Sequence, residues 1–173
     1  MEFKKQPFIP MLFGGDINTY SVARAFYEEY QVKTYVFGKF PSGPSYNSNI
    51  IEYHANLKID TDEVFMQTVR DFAAAHADKT VLTIGCGDSY VALCSRHKDE
   101  MPENVIAPYI DFELMDRLQQ KELFYRLCRE HDIDFPDTLV FRHGMDLDFE
   151  LPFSFPVILK PSNSVMYWEH EFP

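Results

Sequence analysis

The sequence predicts an α/β protein, with a doubly wound, mostly parallel Rossmann-like sheet followed by a shorter α+β segment. Three observations support this prediction. Short apolar runs alternate with stretches whose apolar residues recur every three or four positions, glycine-containing turns follow several of the runs, and this alternation ends near residue 108. Such alternation is typical of a parallel sheet covered by helices on both faces. We therefore place a first domain at residues 1–110 and a second region at 111–173.

The chain begins with a predicted βαβ unit. Residues 8–13 form an apolar run that ends at Gly14, Gly15 and Asp16, where glycine permits a tight turn and either Asp16 or Asn18 can cap a helix. A helix is predicted over 18–30, because its apolar residues fall on one face, and a second strand over 33–37. The general rule for such units makes the crossover right-handed.

The rest of the first domain continues the alternation. The predicted segments are a loop at 38–49, an edge segment at 50–53, a helix at 62–77, a strand at 80–84, a turn at 85–88, a helix at 88–97 and a short strand at 104–108. Beyond these, helices are predicted to start at residue 111 and to cover 121–130, with strands at 138–141 and 155–160.

Composition limits the function. The chain has 173 residues, of which 46% are hydrophobic, and a formal net charge of −11 that argues against a nucleic-acid partner. No apolar run reaches the roughly 18 residues of a membrane span, and no signal peptide is visible. Cys86, Cys94 and Cys128 form no CxxC pair. We expect free thiols, a cytoplasmic location, and neither a membrane partner nor a metal site.

One glycine turn resembles a known cofactor motif. Residues 81–89, with Gly85 and Gly87, resemble the first motif of S-adenosylmethionine-dependent methyltransferases, in which backbone approaches the cofactor. That family usually has an acidic residue at the position of Thr83 and a glycine at that of Ser89. The alternative is a glycine turn that closes an ordinary strand-to-helix joint.

A wider resemblance spans nearly the whole chain. It rests on these segments: FIPMLFGGDIN at 8–18, CGDSY at 86–90, PYID at 108–111, QKELFYRLC at 120–128, IDFPDT at 133–138 and FPVILKPSNSV at 155–165. Together they resemble the ATP-grasp superfamily, and within it the carboxylate–amine ligases of the D-aspartate ligase type. The resemblance implies a pre-ATP-grasp domain at 1–110 and the first, incomplete part of an ATP-grasp domain at 111–173.

The resemblance also implies roles for particular residues. Lys121 and Lys160 would contact the phosphates of ATP, and Ser162, Asn163 and Ser164 would begin the loop that covers them. Compact ammonium groups suit phosphate oxygens. Without the resemblance, a lysine at a polar helix start or at a strand end is ordinarily solvated.

Three residues of the first domain are candidates for the substrate side of the cleft: Gly14, Asp16 and Asp88. They follow predicted strands, whose carboxyl ends face a crevice in open α/β sheets. For Asp16 and Asp88 the alternative is a structural one, because either aspartate could cap the helix that follows it.

The resemblance implies that ATP and Mg²⁺ serve to activate a carboxylate as an acyl phosphate, which an amine then attacks. The magnesium ligands of the family lie beyond this chain, so we expect a fragment that is inactive alone. Val165 and Trp168 belong to an apolar end segment that could self-associate. The alternative to a ligase fragment is a non-catalytic α/β binding or interaction module.

Overall fold

The computed structural model describes residues 2–41, 43–146, 148, 150–162 and 167. It contains two compact units, residues 1–115 and 116–173. Unit 1 holds the sheet and most of the buried apolar side chains.

Unit 1 is built around a parallel sheet. Its strands are β1 (Phe8–Phe13), β2 (Thr34–Gly38), β3 (Ile51–Ala55), β4 (Thr80–Gly85) and β5 (Val105–Ile106). They lie in the order β3-β2-β1-β4-β5, and all neighbouring pairs are parallel. The predicted fold class is confirmed, with a sheet that is entirely parallel in the described residues.

Helices cover both faces of this sheet. They are α1 (Ile17–Tyr30), α2 (Gly43–Tyr46), α3 (Asp62–Ala75) and α4 (Asp88–Arg96), and α5 (Phe112–Gln119) follows β5 along the chain. Met11, Phe13 and Val81 join Phe65 and Val69 of α3 in one buried cluster. The opposite face buries a second cluster around Leu12, Val36 and Ala23 of α1. Since β1 supplies residues to both clusters, it lies at the centre of the three layers.

Unit 2 has much less buried apolar surface. Its α6 (Lys121–Glu130) matches the predicted helix, and Cys128 is buried. The strands predicted at 138–141 and 155–160 are absent from the described part of unit 2, where these segments form no ladder. A strand needs a hydrogen-bonding neighbour, which apolar composition alone does not supply. Phe155, Ile158 and Leu159 are 76%, 80% and 92% exposed.

Candidate functional site

Unit 1 has a crevice at the carboxyl end of its sheet. A cavity of about 550 Å³ lies where β1, β2 and β4 end, and its walls include Gly14, Asp16, Lys39, Tyr53 and Cys86. Strand β1 pairs with β2 on one side and with β4 on the other, so the order of strands reverses direction at β1. Open α/β sheets bind ligands at such switch points. The geometry therefore offers a small-molecule site, and 550 Å³ is within the usual size of one.

The loops that surround this crevice pack backbone against backbone. Gly14 has φ of 142°, a conformation that side chains rarely adopt, and its N–H donates to the carbonyl of Phe37 at 3.0 Å. A Cβ atom on Gly38 would collide with the carbonyl oxygen of Gly14 and with the Tyr53 hydroxyl. These glycines bring the ends of β1 and β2 together, and so they shape the wall of the crevice.

Asp16 is the N-cap of α1, as the sequence predicts. Its Oδ1 accepts from the backbone N–H groups of Asn18 and Thr19, each at 3.1 Å, and from the Thr19 hydroxyl at 3.1 Å. Its Oδ2 accepts from the Asn18 side-chain amide at 3.0 Å. The carboxylate is thus held at the crevice wall by the helix that it caps.

Asp88 does not cap α4. Gly87 occupies the N-cap position and Asp88 is the first residue of the helix, so the predicted capping role is wrong. An acidic residue in the first turn still interacts favourably with the helix dipole. Asp88 is also not among the residues that line the crevice. Its role on the substrate side remains a prediction.

The crevice wall next to β4 holds weakly acidic groups. Burial raises the pKa of the Cys86 thiol to about 11 and that of the Tyr90 hydroxyl above its usual range. Tyr109 does not line the crevice, but its hydroxyl accepts a hydrogen bond from the N–H of Gly85 at the end of β4, at 2.6 Å, and burial raises its pKa as well. These groups stay protonated at neutral pH. Lys39, which pairs with Asp60 at 2.7 Å, and Asp16 supply the charges of this wall.

The second cavity lies within unit 2 and contains both predicted lysines. Lys121, at the first position of α6, and Lys160 line a cavity of about 450 Å³. Ser162 lies there too, and its carbonyl accepts from the Lys121 N–H at 3.2 Å. The fold therefore brings together residues that are far apart in sequence. Asn163 and Ser164 lie outside the described residues.

The walls of this cavity combine charged and apolar groups. Glu122 lies beside Lys121 and is paired with Arg142 and, at 3.6 Å, with Arg126. Those guanidinium groups offset a negative charge that would repel an anion. Tyr125 and Val157 belong to the apolar wall. A cavity with ammonium groups and apolar sides can take a molecule that is anionic at one end and flat or apolar at the other.

Sequence reasoning missed several of these residues. Lys39 and Tyr53 were not singled out, although Lys39 directly follows a strand that ends in glycine, which is a signal for a residue at the crevice. Glu122 and Arg142 were also missed, because their pairing joins a helix to a loop and leaves no local pattern.

The described residues show neither a metal cluster nor a membrane helix. No group of at least three His, Cys, Asp or Glu side chains in this part of the chain could hold a metal ion. None of the helices described is sufficiently long and apolar to cross a membrane. Cys86, Cys94 and Cys128 are free thiols.

Comparison with known proteins finds a relative in sequence and a relative in structure. The chain is 40% identical to a D-aspartate ligase of Enterococcus faecium (strain Aus0004) over 176 aligned positions, which cover 98% of this chain and 42% of that enzyme. It also resembles the crystal structure of an L-amino acid ligase from Bacillus licheniformis, with a TM-score of 0.53, 18% identity, and coverage of 92% of this chain and 38% of the other. No protein-family model matches the chain.

The sequence relative and the structural relative support different conclusions. The sequence relative confirms the resemblance to D-aspartate ligase that the motifs predict. The structural relative, at 18% identity, shows the fold alone. The chain spans about two fifths of the length of either protein, since it covers 42% of one and 38% of the other.

Proposed function

We propose that this chain, a homologue of D-aspartate ligase over nearly all of its own length, forms the nucleotide-phosphate site and one substrate crevice of an ATP-dependent carboxylate–amine ligase. Unit 1 would be the pre-ATP-grasp domain, and unit 2 the first part of the ATP-grasp domain. The observation that carries the proposal is the position of Lys121 and Lys160 on one cavity.

The two lysines have the chemistry that a polyphosphate site needs. Each ammonium group can neutralise phosphate oxygens without a fixed planar geometry, and the N-terminus of the ten-residue α6 adds the positive end of a helix dipole. Tyr125 and Val157 on the apolar wall would contact the base. The cavity is large enough for part of a nucleotide, at about 450 Å³.

Bound ATP would supply the phosphoryl group that activates a carboxylate for attack by an amine. In the proposed step, Lys121 and Lys160 hold the phosphate oxygens and offset the negative charge that develops during transfer. The described residues offer no cluster of three carboxylate, imidazole or thiol side chains for Mg²⁺, so the proposed step rests on Lys121 and Lys160.

The crevice of unit 1 supports the substrate part of the proposal. Asp16 and Lys39 place one negative and one positive side chain on its wall. An amino acid carries both charges, and the sequence relative is named for aspartate. We propose that the crevice binds a small amino acid or its amine partner, and that the protein acts in the cytoplasm, where thiols such as Cys86 stay reduced.

Calorimetric titration of the 173-residue chain with ATP tests the nucleotide site. We expect Lys121→Gln and Lys160→Gln each to weaken binding about 10- to 100-fold, the loss of one charge-assisted hydrogen bond. Lys58→Gln is the matched control, because Lys58 lies outside the cavity. Unchanged affinity in both cavity variants, or no ATP binding by the parent chain, would contradict the proposal.

Phosphate release separates nucleotide binding from ligation. With ATP, Mg²⁺ and D-aspartate present, we expect the chain alone to bind nucleotide without releasing phosphate above background, because no three-ligand cluster for Mg²⁺ occurs among its described residues. Release by this chain, lost in Lys160→Gln, would show that it is catalytic by itself and would overturn the expected inactivity.

A further inference from the structure

One edge of the sheet in unit 1 is open. Strand β3 pairs with β2 on one side, and no strand of the described residues pairs with its other side. Ile50 accepts from the Thr34 N–H at one end of this ladder, and the Asn56 N–H donates to Gly38 at the other end. In a parallel ladder these bonds alternate along the strand. The backbone groups of Tyr53 and Ala55 therefore point away from β2.

The open strand carries a carboxylate and an imidazole at two neighbouring positions of one face. Glu52 and His54, on the face covered by α3, both line a groove beside the edge and are 42% and 46% exposed in their side chains. Their closest atoms, Glu52 Oε1 and His54 Nε2, are 3.5 Å apart. The other Glu52 oxygen pairs with Lys33 at 3.1 Å. An acceptor and a donor thus stand two residues apart at the free edge.

We propose that β3 is a docking edge for a second copy of this chain, which adds its own β3 antiparallel across a two-fold axis at Tyr53. The outward N–H and C=O of Tyr53 would bond reciprocally with the same groups of the partner copy. Such an interface is isologous, because the same strand lies on both sides. It joins two five-stranded sheets into one.

Side-chain complementarity selects this register. With Tyr53 opposite itself, Glu52 faces His54 of the partner copy and His54 faces Glu52, which gives two reciprocal carboxylate–imidazole pairs. Moving the axis to residue 52 would set two glutamates opposite each other, and moving it to 54 would set two histidines opposite each other. A register shifted by one residue would pair residue 52 of one copy with residue 53 of the other. The side chains of these two residues face different sides of the sheet, so this register mismatches the two faces.

The size of the edge sets the expected strength. Strand β3 has five residues, so the interface is smaller than the roughly 1,600 Å² of a standard stable complex. We therefore expect reversible association, with a dissociation constant between about 1 μM and 1 mM. Polar groups on an edge strand also limit open-ended aggregation.

Unit 2 offers a competing route to association. Ile158 and Leu159 are 80% and 92% exposed, and contacts through them would also be concentration dependent. The test must separate the two surfaces. The variant Leu159→Glu disrupts that apolar surface and leaves β3 unchanged, so it serves as the background in which the edge is examined.

Sedimentation equilibrium of the full chain, from about 10 μM to about 1 mM, measures the association. In the Leu159→Glu background we expect a monomer–dimer equilibrium. Glu52→Lys should raise the dissociation constant at least about tenfold. Adding His54→Glu should restore it, because the introduced ammonium group would then face the introduced carboxylate of the partner copy. Glu103→Lys, an equal charge change on an exposed residue outside β3, is the control.

A backbone variant tests the ladder itself. Ala55→Pro removes an N–H that β2 does not use, and prolines are tolerated on edge strands, so the fold should persist by circular dichroism while dimerisation is lost. A monomer throughout the concentration range overturns the proposal. So does an association that Leu159→Glu abolishes, or one that survives both Ala55→Pro and Glu52→Lys in folded protein.

Discussion

Gly85 ends β4 against the backbone of α4. A Cβ atom at this position would lie 2.6 Å from the carbonyl carbon of Tyr90 and 2.7 Å from the amide nitrogen of Val91. Backbone atoms cannot move aside as the end of a flexible side chain can. The turn therefore requires glycine at Gly85 for packing, and the strand-to-helix joint explains this residue without a cofactor.

Gly87, in the same turn, provides a matched control. A Cβ atom there would meet nothing within 4 Å. Its φ of −157° is extended backbone that any residue can adopt. We predict that Gly85→Ala lowers the free energy of unfolding by about 1–3 kcal/mol, while Gly87→Ala, which meets no steric conflict and only replaces the glycine N-cap of α4, lowers it by less than about 1 kcal/mol. Urea titrations of both variants check this, and equal effects would contradict the packing argument.

At the scale of elements, one carboxylate links two helices. Asp62, the first residue of α3, accepts from Arg96 of α4 at 2.7 Å and from His97, just beyond α4, at 2.6 Å. The hydrogen bond from Arg96, followed by that from His97, holds the pKa of Asp62 below its ordinary value of 3.8. Asp62 also lies at the positive end of the α3 dipole, and Arg96 at the negative end of the α4 dipole.

This link predicts an acid-dependent contribution to stability. Because the folded pKa of Asp62 lies below the unfolded value, its contribution is complete above about pH 5 and is lost as the pH falls through the folded pKa. We expect Asp62→Asn to be less stable than the parent at pH 7 and to approach it near pH 3. Thermal melts at both pH values measure this. Asp78→Asn is the control, and a gap that is constant with pH would contradict the prediction.

The helices and strands predicted most accurately are those that depend on the sequence pattern within the element itself. The apolar run of β1 and the start of α6 at Lys121 were placed correctly from sequence. The four-residue α2 was missed, since it lies in a loop rich in turn residues. The strands predicted at 138–141 and 155–160 show the opposite error, because an extended apolar segment forms a ladder only if the fold brings a neighbour alongside.

The same distinction applies to the candidate sites. Asp16 could be predicted as a helix cap because capping depends only on residues close in sequence. The hydrogen bonds that it accepts from the N–H groups of Asn18 and Thr19 confirm that prediction. The pairing of Glu122 with Arg142 depends on tertiary structure, and no sequence pattern signals it. Lys121 and Lys160 could be named from a resemblance, whereas the cavity they share could be found only in the structure.

For the whole molecule, buried surface is distributed unequally between the two units. In unit 1, Met11, Phe13 and Phe65 have no exposed surface. In the described part of unit 2, Cys128 is buried, whereas Phe155 and Leu159 are mostly exposed. Since apolar burial provides most of the stability of a fold, the units should differ in local stability.

Amide hydrogen exchange followed by mass spectrometry tests this difference in the intact chain. We predict that β1 and β4 exchange slowest, because their amides are bonded in the centre of the sheet. Residues 131–162 should exchange much faster, since the described amides there belong to no ladder or helix. Helix α6 should be intermediate, with its own hydrogen bonds but little burial. Adding ATP should slow exchange around Lys121 and Lys160 if the cavity binds nucleotide. Protection of 131–162 equal to that of β4 in the absence of ATP would show that unit 2 is as stable as the sheet, which would contradict the prediction.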